Sequence, residues 1–295
     1  MKINLFGSTT PTGNEFKNII KANFSEIKVT TFSRSESSDK YFDFEKPDFQ
    51  KINNEMENSV IISFSPIWLF ADFFEEYIEN FYKQGIKGVI VCSSSSVITK
   101  NYAYNDFDKN LVNTLKKSEE KIMKICTKFK INYYILRPTL IYGKSGNYQD
   151  NNIKVIIKIM RMVYIIPLPS STGLRQPIHV SELAYIALNL SRSLWNKDNK
   201  FQRNLIFNVG GENEISYANM LKLIKRNLPK IDRGKNCIFI KIPNRLFNFL
   251  ISGLSLIKPK SFEAIMRINS NMAGFTKASY FCEGKVKYFP IKPFI

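Results

Sequence analysis

Short apolar runs alternate with longer amphipathic segments through the first half of the chain, and this rhythm limits the possible folds more than any other feature. The runs Val60-Ile61-Ile62 and Val89-Ile90-Val91 are apolar without a break, which is typical of parallel strands covered on both faces. Parallel strands need long crossover connections, and the segments between the runs have helical length and pattern. The sequence therefore predicts an α/β protein with a doubly wound parallel sheet.

The expected elements follow directly from this rhythm. Strands are predicted over residues 2–6, 27–32, 59–64, 88–92 and 133–137, and helices over residues 13–23, 68–83 and 111–129. From about residue 147 the pattern changes to a helix at 152–162, a strand near 177–180, a helix at 181–191, a strand at 205–209 and a helix to residue 227 capped by Ser216. We expect a core domain over residues 1–150 and a smaller mixed α/β lobe over residues 151–295, with residues 175–210 returning to the core.

The net charge of +18 over 295 residues permits several partners. A nucleic acid, an anionic membrane surface and an anionic small molecule would each be attracted, and a Lys-rich composition without functional meaning explains the charge equally well. Nucleic acid has little support beyond charge, because no recognised module is present. The segment at residues 245–260 has the composition of either an interfacial helix or a helix packed on the second lobe. The helix predicted at residues 152–162 carries a basic side formed by Lys154, Lys158 and Arg161. This side either binds an anion or is solvated.

The number and spacing of the cysteine and histidine residues do not predict a metal site. The four cysteines are not arranged in close pairs, and the single histidine, His179, cannot complete a zinc site of ordinary spacing. We expect free thiols in a reduced cytoplasm, with membrane apposition as an option. No leader pattern is seen at the start, and the longest apolar run, residues 246–257, is too short to span a bilayer.

A glycine loop follows the first predicted strand, and its residues run from Gly7 through Thr9 and Thr10 to Gly13. A strand, a glycine loop and a helix in this order are typical of dinucleotide binding, because the helix N-terminus faces the pyrophosphate. Gly7 permits a tight turn and Gly13 a close helix–strand approach. Thr10 stands where a third glycine is usual, and its hydroxyl could donate to the phosphates instead.

The end of the second strand bears on the choice of cofactor. Ser33 and Arg34 occupy the place where an acidic residue would bind the ribose 2′-hydroxyl of NAD. Arginine pairs with a 2′-phosphate, so the sequence favours NADP over NAD, although a solvated Arg34 explains the same residue.

Several further segments together resemble the extended or atypical short-chain dehydrogenase/reductase family, in its nucleoside-diphosphate-sugar epimerase/dehydratase branch of the type encoded with O-antigen genes. The resemblance spans nearly the whole chain, and it implies a Rossmann-type fold. The segments that carry it are Val60–Pro66, Val91–Val97, Leu136–Gly143, Arg175–Ala184, Asn208–Gly211 and Phe289–Phe294.

The resemblance also implies roles for individual residues. Asp43 would contact the adenine, and Ser65 and Pro138 would contact the cofactor. Ser94 would orient the reacting oxygen, while Ser95, Tyr142 and Arg175 would bind the substrate, an anionic and nucleotide-linked sugar. Two long helices of such proteins often pair into a homodimer interface.

The family's catalytic Y-x-x-x-K pair is incomplete in this chain. In the family this lysine binds the ribose, and a glutamate follows it four residues later. The preferred alignment takes Glu120 as this glutamate and puts Lys116 at the lysine and Val112 at the tyrosine. The neighbouring alignment puts Leu115 and Leu111 there and fits less well. Tyr102 or Tyr104, or else Tyr142, would have to replace the missing acid/base. The alternative is a catalytically silent, dinucleotide-binding scaffold or assembly subunit.

Overall fold

The computed structural model describes residues 1–48, 52, 55–198, 200–252, 259–282 and 287–293. In its first half, strands and helices alternate as the sequence predicts. The elements are β1 (Lys2–Phe6), α1 (Pro11–Asn23), β2 (Lys28–Ser33), β3 (Lys40–Tyr41), β4 (Val60–Ser63), α2 (Ile67–Lys83), β5 (Gly88–Cys92), α3 (Ser96–Thr99), α4 (Asp106–Lys128) and β6 (Tyr133–Pro138).

The second half contains shorter elements. They are β7 (Ile141–Tyr142), β8 (Lys144–Ser145), β9 (Tyr148–Gln149), α5 (Asn151–Met162), β10 (Ile165–Pro169), β11 (Leu174–Arg175), β12 (Ile178–His179), α6 (Val180–Asn196), β13 (Leu205–Gly210), β14 (Ile215–Ser216), α7 (Tyr217–Asn227), β15 (Ile238–Ile242), α8 (Asn244–Ser252), α9 (Pro259–Met266), β16 (Thr276–Lys277) and α10 (Ala278–Phe281).

The central sheet has eight strands in the order β3-β2-β1-β4-β5-β6-β13-β16. Every neighbouring pair in it is parallel. The strand order therefore reverses between β1 and β4, which creates a crevice at the carboxyl ends of these strands. This arrangement confirms the predicted doubly wound α/β fold.

Three apolar clusters hold the structure together. One packs α1, α6 and α10 on one face of the sheet, and a second packs α2 and α4 on the other face. The third lies in the second half of the chain, where α5 and α7 cover one side of the two-stranded parallel sheet β10–β15. The strands are buried on both faces in the large sheet, which explains their unbroken apolar runs.

Helix α4 begins five residues earlier than the sequence predicts, at Asp106 rather than residue 111. The side chain of Asn105 caps it by accepting a hydrogen bond of 2.9 Å from the amide of Asp108. Such a cap extends a helix beyond the apolar pattern that marks its packed face.

Helix α8 covers the start of the segment for which an interfacial helix was considered, but residues 253–258 of that segment lie outside the described residues. Among the residues that the structure describes, no helix is long and apolar enough to cross a membrane.

Candidate functional site

The glycine loop after β1 packs directly against the loop after β4. Gly7 has a φ of +75°, and a Cβ on it would lie 2.6 Å from the backbone nitrogen of Ser65. A Cβ on Gly13 would lie 2.2 Å from the carbonyl oxygen of Gly7. Both positions therefore exclude any side chain, the first by conformation and close approach and the second by contact between α1 and the loop.

The hydroxyl of Thr10 is engaged within the loop itself. It donates to the carbonyl oxygen of Gly7 at 2.8 Å and accepts from the amide of Gly13 at 3.0 Å, so Thr10 is the N-cap of α1. The carbonyl of Thr10 accepts from the amide of Asn14, and Pro11 has no amide hydrogen. This differs from the expectation that the Thr10 hydroxyl donates to phosphates, because its proton is already used in the bond to Gly7. The cap also occupies the amide of Gly13, so fewer amides at this helix end are free.

A cavity of about 500 Å³ opens at the carboxyl ends of β1, β2 and β4. Arg34 is exposed at its edge, and Asp43 is half-buried with one carboxylate oxygen accepting from the amide of Glu45 at 3.1 Å. The cavity brings together six residues that the sequence assigns to cofactor binding: Gly7, Thr9, Thr10, Arg34, Asp43 and Ser65.

A second cavity, of about 320 Å³, lies further along the same sheet edge, at the ends of β5 and β6. The loop after β5 is fixed to the neighbouring strand, since the amide of Ser95 donates to the carbonyl of Pro138 at 3.0 Å. The Ser94 hydroxyl lies 3.1 Å from that of Ser96. The lining contains four residues that the sequence assigns to the site: Ser94, Ser95, Pro138 and Arg175.

Lys100, which the sequence analysis did not single out, also lines this second cavity. Its Nζ lies 2.8 Å from Oδ1 of Asp108, a carboxylate without solvent exposure. Arg267 binds the other oxygen of Asp108 at 3.0 Å. Burial raises the pKa of Asp108, but hydrogen bonds from Lys100 and Asn105 and the two positive charges outweigh it and lower the pKa overall. One buried carboxylate thus anchors two cations, of which Lys100 reaches the cavity.

Arg175 is almost fully buried at the edge of the second cavity, and its guanidinium is held by backbone carbonyls. One nitrogen donates to Leu174 and Ser270 at 2.8 and 2.7 Å, and another donates to Arg267 at 2.6 Å. Its guanidinium also lies over the ring of Tyr217. Burial lowers its pKa. The structure therefore uses Arg175 to fasten the segment around residue 270 across the cavity.

Helix α4 presents a different face to the sheet from the one that the preferred alignment assumes. Glu119 is buried and accepts hydrogen bonds from Arg137 on β6 and from Ser93 after β5, while Glu120 is exposed. Counting back from Glu119 places Leu115 and Leu111, both packed in the apolar cluster under the sheet, where lysine and tyrosine would stand. The geometry thus corresponds to the neighbouring alignment.

Lys116 lies outside both cavities. Its Nζ donates to Oδ1 of Asn101 at 2.6 Å on the protein surface, and Val112 is buried. The structure therefore does not bring Lys116 to Ser94.

None of the three candidate tyrosines is among the described lining residues of the two cavities. Tyr102 and Tyr104 are 89% and 86% exposed. Tyr142 is completely buried between the rings of His179 and Phe289, and its hydroxyl accepts from the amide of Ile291 at 3.0 Å. Burial raises the pKa of Tyr142 far above its usual value. This environment differs from the expected substrate contact, since the ring and hydroxyl are enclosed by protein.

His179 is a structural cap. It begins α6 with a capping box, in which Glu182 accepts from the His179 amide at 2.8 Å and Nδ1 of His179 bonds to Ser181. Burial lowers the pKa of His179 to about 4 and raises that of Glu182 to about 7. His179 is therefore a buried, hydrogen-bonded histidine of the protein core.

Solved structures share the overall architecture of this chain, whereas comparison with protein-family models and curated sequences finds no relative. Neither protein-family models nor curated protein sequences give a match. UDP-glucuronic acid 4-epimerase from Bacillus cereus, in complex with NAD, has a TM-score of 0.64 at 13% identity over 98% of this chain and 94% of its own.

Two further structures share the fold over most of their length. UDP-glucose 4-epimerase from Thermotoga maritima, with UDP-glucose, has a TM-score of 0.57 at 12% identity over 82% of this chain and 86% of its own. RMD from Pseudomonas aeruginosa, complexed with NADPH, has a TM-score of 0.55 at 10% identity over 82% and 87%. The chain therefore has the Rossmann-type fold that the resemblance to sugar epimerases and dehydratases implied.

Proposed function

We propose that this protein binds a nicotinamide dinucleotide along the carboxyl edge of its sheet and acts, in the manner of an epimerase or dehydratase, on a nucleotide-linked sugar. The observation that carries the proposal is the approach of Gly7 to the Ser65 amide beside a cavity of about 500 Å³. A cavity bounded by bare backbone at a topological switch point admits a pyrophosphate close to the chain.

The residues at this cavity fit a dinucleotide. Asp43 can accept from an adenine amino group, and Arg34 can pair with a ribose phosphate at the open edge. When bound, the nicotinamide supplies hydride transfer. Structures with the same fold were solved with NAD and with NADPH, which supports the cofactor class.

The second cavity suits the substrate. Its serine-rich loop offers hydroxyl groups to a sugar, and Lys100 offers a positive charge that an anionic group can reach. In this proposal Ser94 orients the reacting oxygen. Lys100 rather than Lys116 lines the cavity with Ser94, so we assign the charged contact with the substrate to Lys100. Arg175 contributes by holding the far wall in place.

Proton transfer is the demanding step for this chain. Among the described lining residues of the second cavity, the titratable side chains are Lys100 and Arg175. Arginine keeps its proton in proteins. Lys100, whose ammonium is paired with the buried carboxylate of Asp108, is therefore the residue of the lining that we assign to a charge-assisted hydrogen bond with the reacting oxygen of the substrate.

The decisive experiment combines binding with turnover. We expect NADPH to show enhanced fluorescence and the protein to melt at a higher temperature with NADP or NAD. We expect UDP-sugars to be epimerised or dehydrated by the wild type but at least about a hundredfold more slowly by Ser94→Ala, the scale on which positioned acid–base groups act. Absence of cofactor binding would refute the proposal as a whole, and binding without turnover of any sugar nucleotide would identify a silent scaffold.

The preference for NADP over NAD has its own test. Arg34→Ala should weaken NADP by about tenfold or more, since a charge-assisted pair with a phosphate is lost, and should leave NAD binding nearly unchanged. Arg192→Ala is the matched control, because Arg192 lies over the ring of Phe24, away from the cavity. Equal weakening of both cofactors by Arg34→Ala would contradict this preference.

Pairing of two copies through α2 and α4 also stays part of the proposal. These helices pack side by side on one face of the sheet, where Lys121 of α4 binds Asp72 and Glu75 of α2. Light scattering of the purified chain measures whether a dimer forms.

A further inference from the structure

The small sheet of the second lobe has one apolar side that faces solvent. Strands β10 and β15 run parallel, with Ile165 beside Ile238 and Pro167 beside Ile240. These four residues are exposed, whereas Ile166, Leu168 and Phe239 point the other way into the apolar cluster of the lobe. A sheet with one side packed against helices ordinarily has polar residues on its solvent side. The solvent side of this small sheet is apolar instead.

Helix α8 continues this exposed apolar surface beyond the sheet. It starts shortly after β15 and is fixed to the end of β10, since Asn244 exchanges hydrogen bonds with Ser170 and Ser171. Its single deeply buried side chain is Phe247. Leu246, Phe249 and Leu250 are exposed by 47%, 75% and 61%. Such exposure over one side of a helix is unusual unless another surface covers it.

Cations lie beside the small sheet at its β15 edge. Lys222, Lys225 and Arg226 of α7 form an open depression together with Lys235, Ile238 and Phe239. The Nζ of Lys225 lies over the ring of Phe239. The cations of α7 therefore lie along the edge of the small sheet, where Ile238 of the exposed side and Phe239 of the covered side both line the depression. We name the exposed parts of β10, β15 and α8, with the cations of α7, the basic apolar face.

The charge of this part of the chain is almost entirely positive. Residues 216–252 contain eight Lys and Arg residues and one acidic residue, Asp232. That acid is already bound by Arg161, whose nitrogen lies 2.6 Å from it. An approaching anionic surface therefore meets little repulsion at this face.

We propose that the basic apolar face docks on a bilayer that contains anionic phospholipids. A bilayer satisfies both halves of the face, because its headgroups attract the cations and its interface accepts the apolar side chains. A nucleic acid would pair with the cations and leave the leucine and phenylalanine side chains in water. A second copy of the same face would bring two clusters of positive charge together. The lobe thus lies on the membrane, and its docking is independent of the function proposed above.

Vesicle co-sedimentation of the full chain tests this proposal. We expect binding to phosphatidylcholine vesicles that contain phosphatidylglycerol, weak binding to phosphatidylcholine alone, and loss of binding as salt is raised. Lys222→Gln/Lys225→Gln/Arg226→Gln should lower the partition coefficient by about tenfold or more. The control with the same change of charge is Lys21→Gln/Lys28→Gln/Lys197→Gln, at three exposed lysines outside α2, α4 and the basic apolar face, which should bind like the wild type.

The apolar contribution is tested separately. Phe249→Ser should reduce vesicle binding by about tenfold, whereas Tyr280→Ser, at an exposed aromatic residue on α10, should not. Both side chains are exposed, so both variants should keep the melting temperature of the wild type.

Any one of the following results would overturn the proposal: equal binding to neutral and anionic vesicles, no binding to either, the same loss in the control variants, or conversion of a dimer into a monomer by Phe249→Ser. Binding of single-stranded RNA in place of anionic vesicles, unaffected by Phe249→Ser, would also overturn it.

Discussion

The buried pair of Glu119 and Arg137 should be one of the most sensitive points of the fold. Glu119 is 2% exposed, and its carboxylate binds the guanidinium of Arg137 and the hydroxyl of Ser93. Glu119→Gln keeps the shape but leaves the charge of Arg137 without its partner. Removing one member of a buried pair costs about 3–5 kcal/mol. Because Arg137 is 16% exposed and can recover some hydration, we expect about 3 kcal/mol.

This loss should be visible in thermal and urea unfolding followed by circular dichroism. A change of about 3 kcal/mol corresponds to a fall in melting temperature of roughly 6–12 °C for a protein of this size class. The double variant Glu119→Leu/Arg137→Leu should recover much of the stability, since two apolar side chains leave no unpaired charge.

The matched control lies on the same helix. Lys121→Gln breaks the exposed pair with Asp72, whose side chain is 73% exposed, and should cost less than about 1 kcal/mol. The reasoning fails if Glu119→Gln is no more destabilising than Lys121→Gln, or if the double variant is less stable than Glu119→Gln.

Three further predictions address the loop, the capping box and the second cavity. Thr10→Gly should cost only a few tenths of a kcal/mol in urea unfolding yet tighten dinucleotide binding, because the Gly13 amide is freed; weaker binding would contradict this. The fold raises the pKa of Glu182 from 4.5 to about 7, so its ionisation in the unfolded chain lowers the free energy of unfolding as pH rises through this range. The fold lowers the pKa of His179 from 6.5 to about 4, so its protonation in the unfolded chain lowers the free energy of unfolding as pH falls through that range. The two effects oppose each other between pH 4.5 and 6.5, so Glu182→Gln should make the free energy of unfolding fall more steeply as pH is lowered. Urea unfolding at several pH values measures this dependence, and the same dependence in the variant and the wild type would contradict the prediction. Lys100→Met should abolish sugar-nucleotide turnover while Lys116→Met leaves it within about twofold of the wild type, a pattern opposite to that expected from the Lys116 alignment.

The positions of the cofactor-loop residues follow from local rules that act within a few residues of chain. A strand that turns directly into a helix needs a glycine in the tight turn and a second one where the helix approaches the turn. The sequence therefore predicts the contact between Gly7 and Gly13 that the structure contains. The Thr10 hydroxyl follows another local rule. A hydroxyl at a helix start bonds first to the adjacent backbone groups, as that of Thr10 does with Gly7 and Gly13.

Helix α4 shows where sequence reasoning stops. Adjacent residues of a helix differ by about 100° in direction, so Glu119 and Glu120 cannot both face β6. Both alignments retain an amphipathic pattern. The choice between them depends on the position of Arg137, which comes from a strand eighteen residues further along the chain.

The amino-acid sequence by itself determined the order of strands and helices, the parallel sheet and the glycine turn, because these depend on local conformation and on the burial pattern of each segment. Tertiary structure alone decided that Lys100 rather than Lys116 reaches the second cavity, that Arg175 is held by backbone carbonyls, and that the small sheet leaves an apolar side uncovered. Each of these outcomes depends on which distant segments come into contact, and contacts between distant segments leave no periodic signal in the sequence.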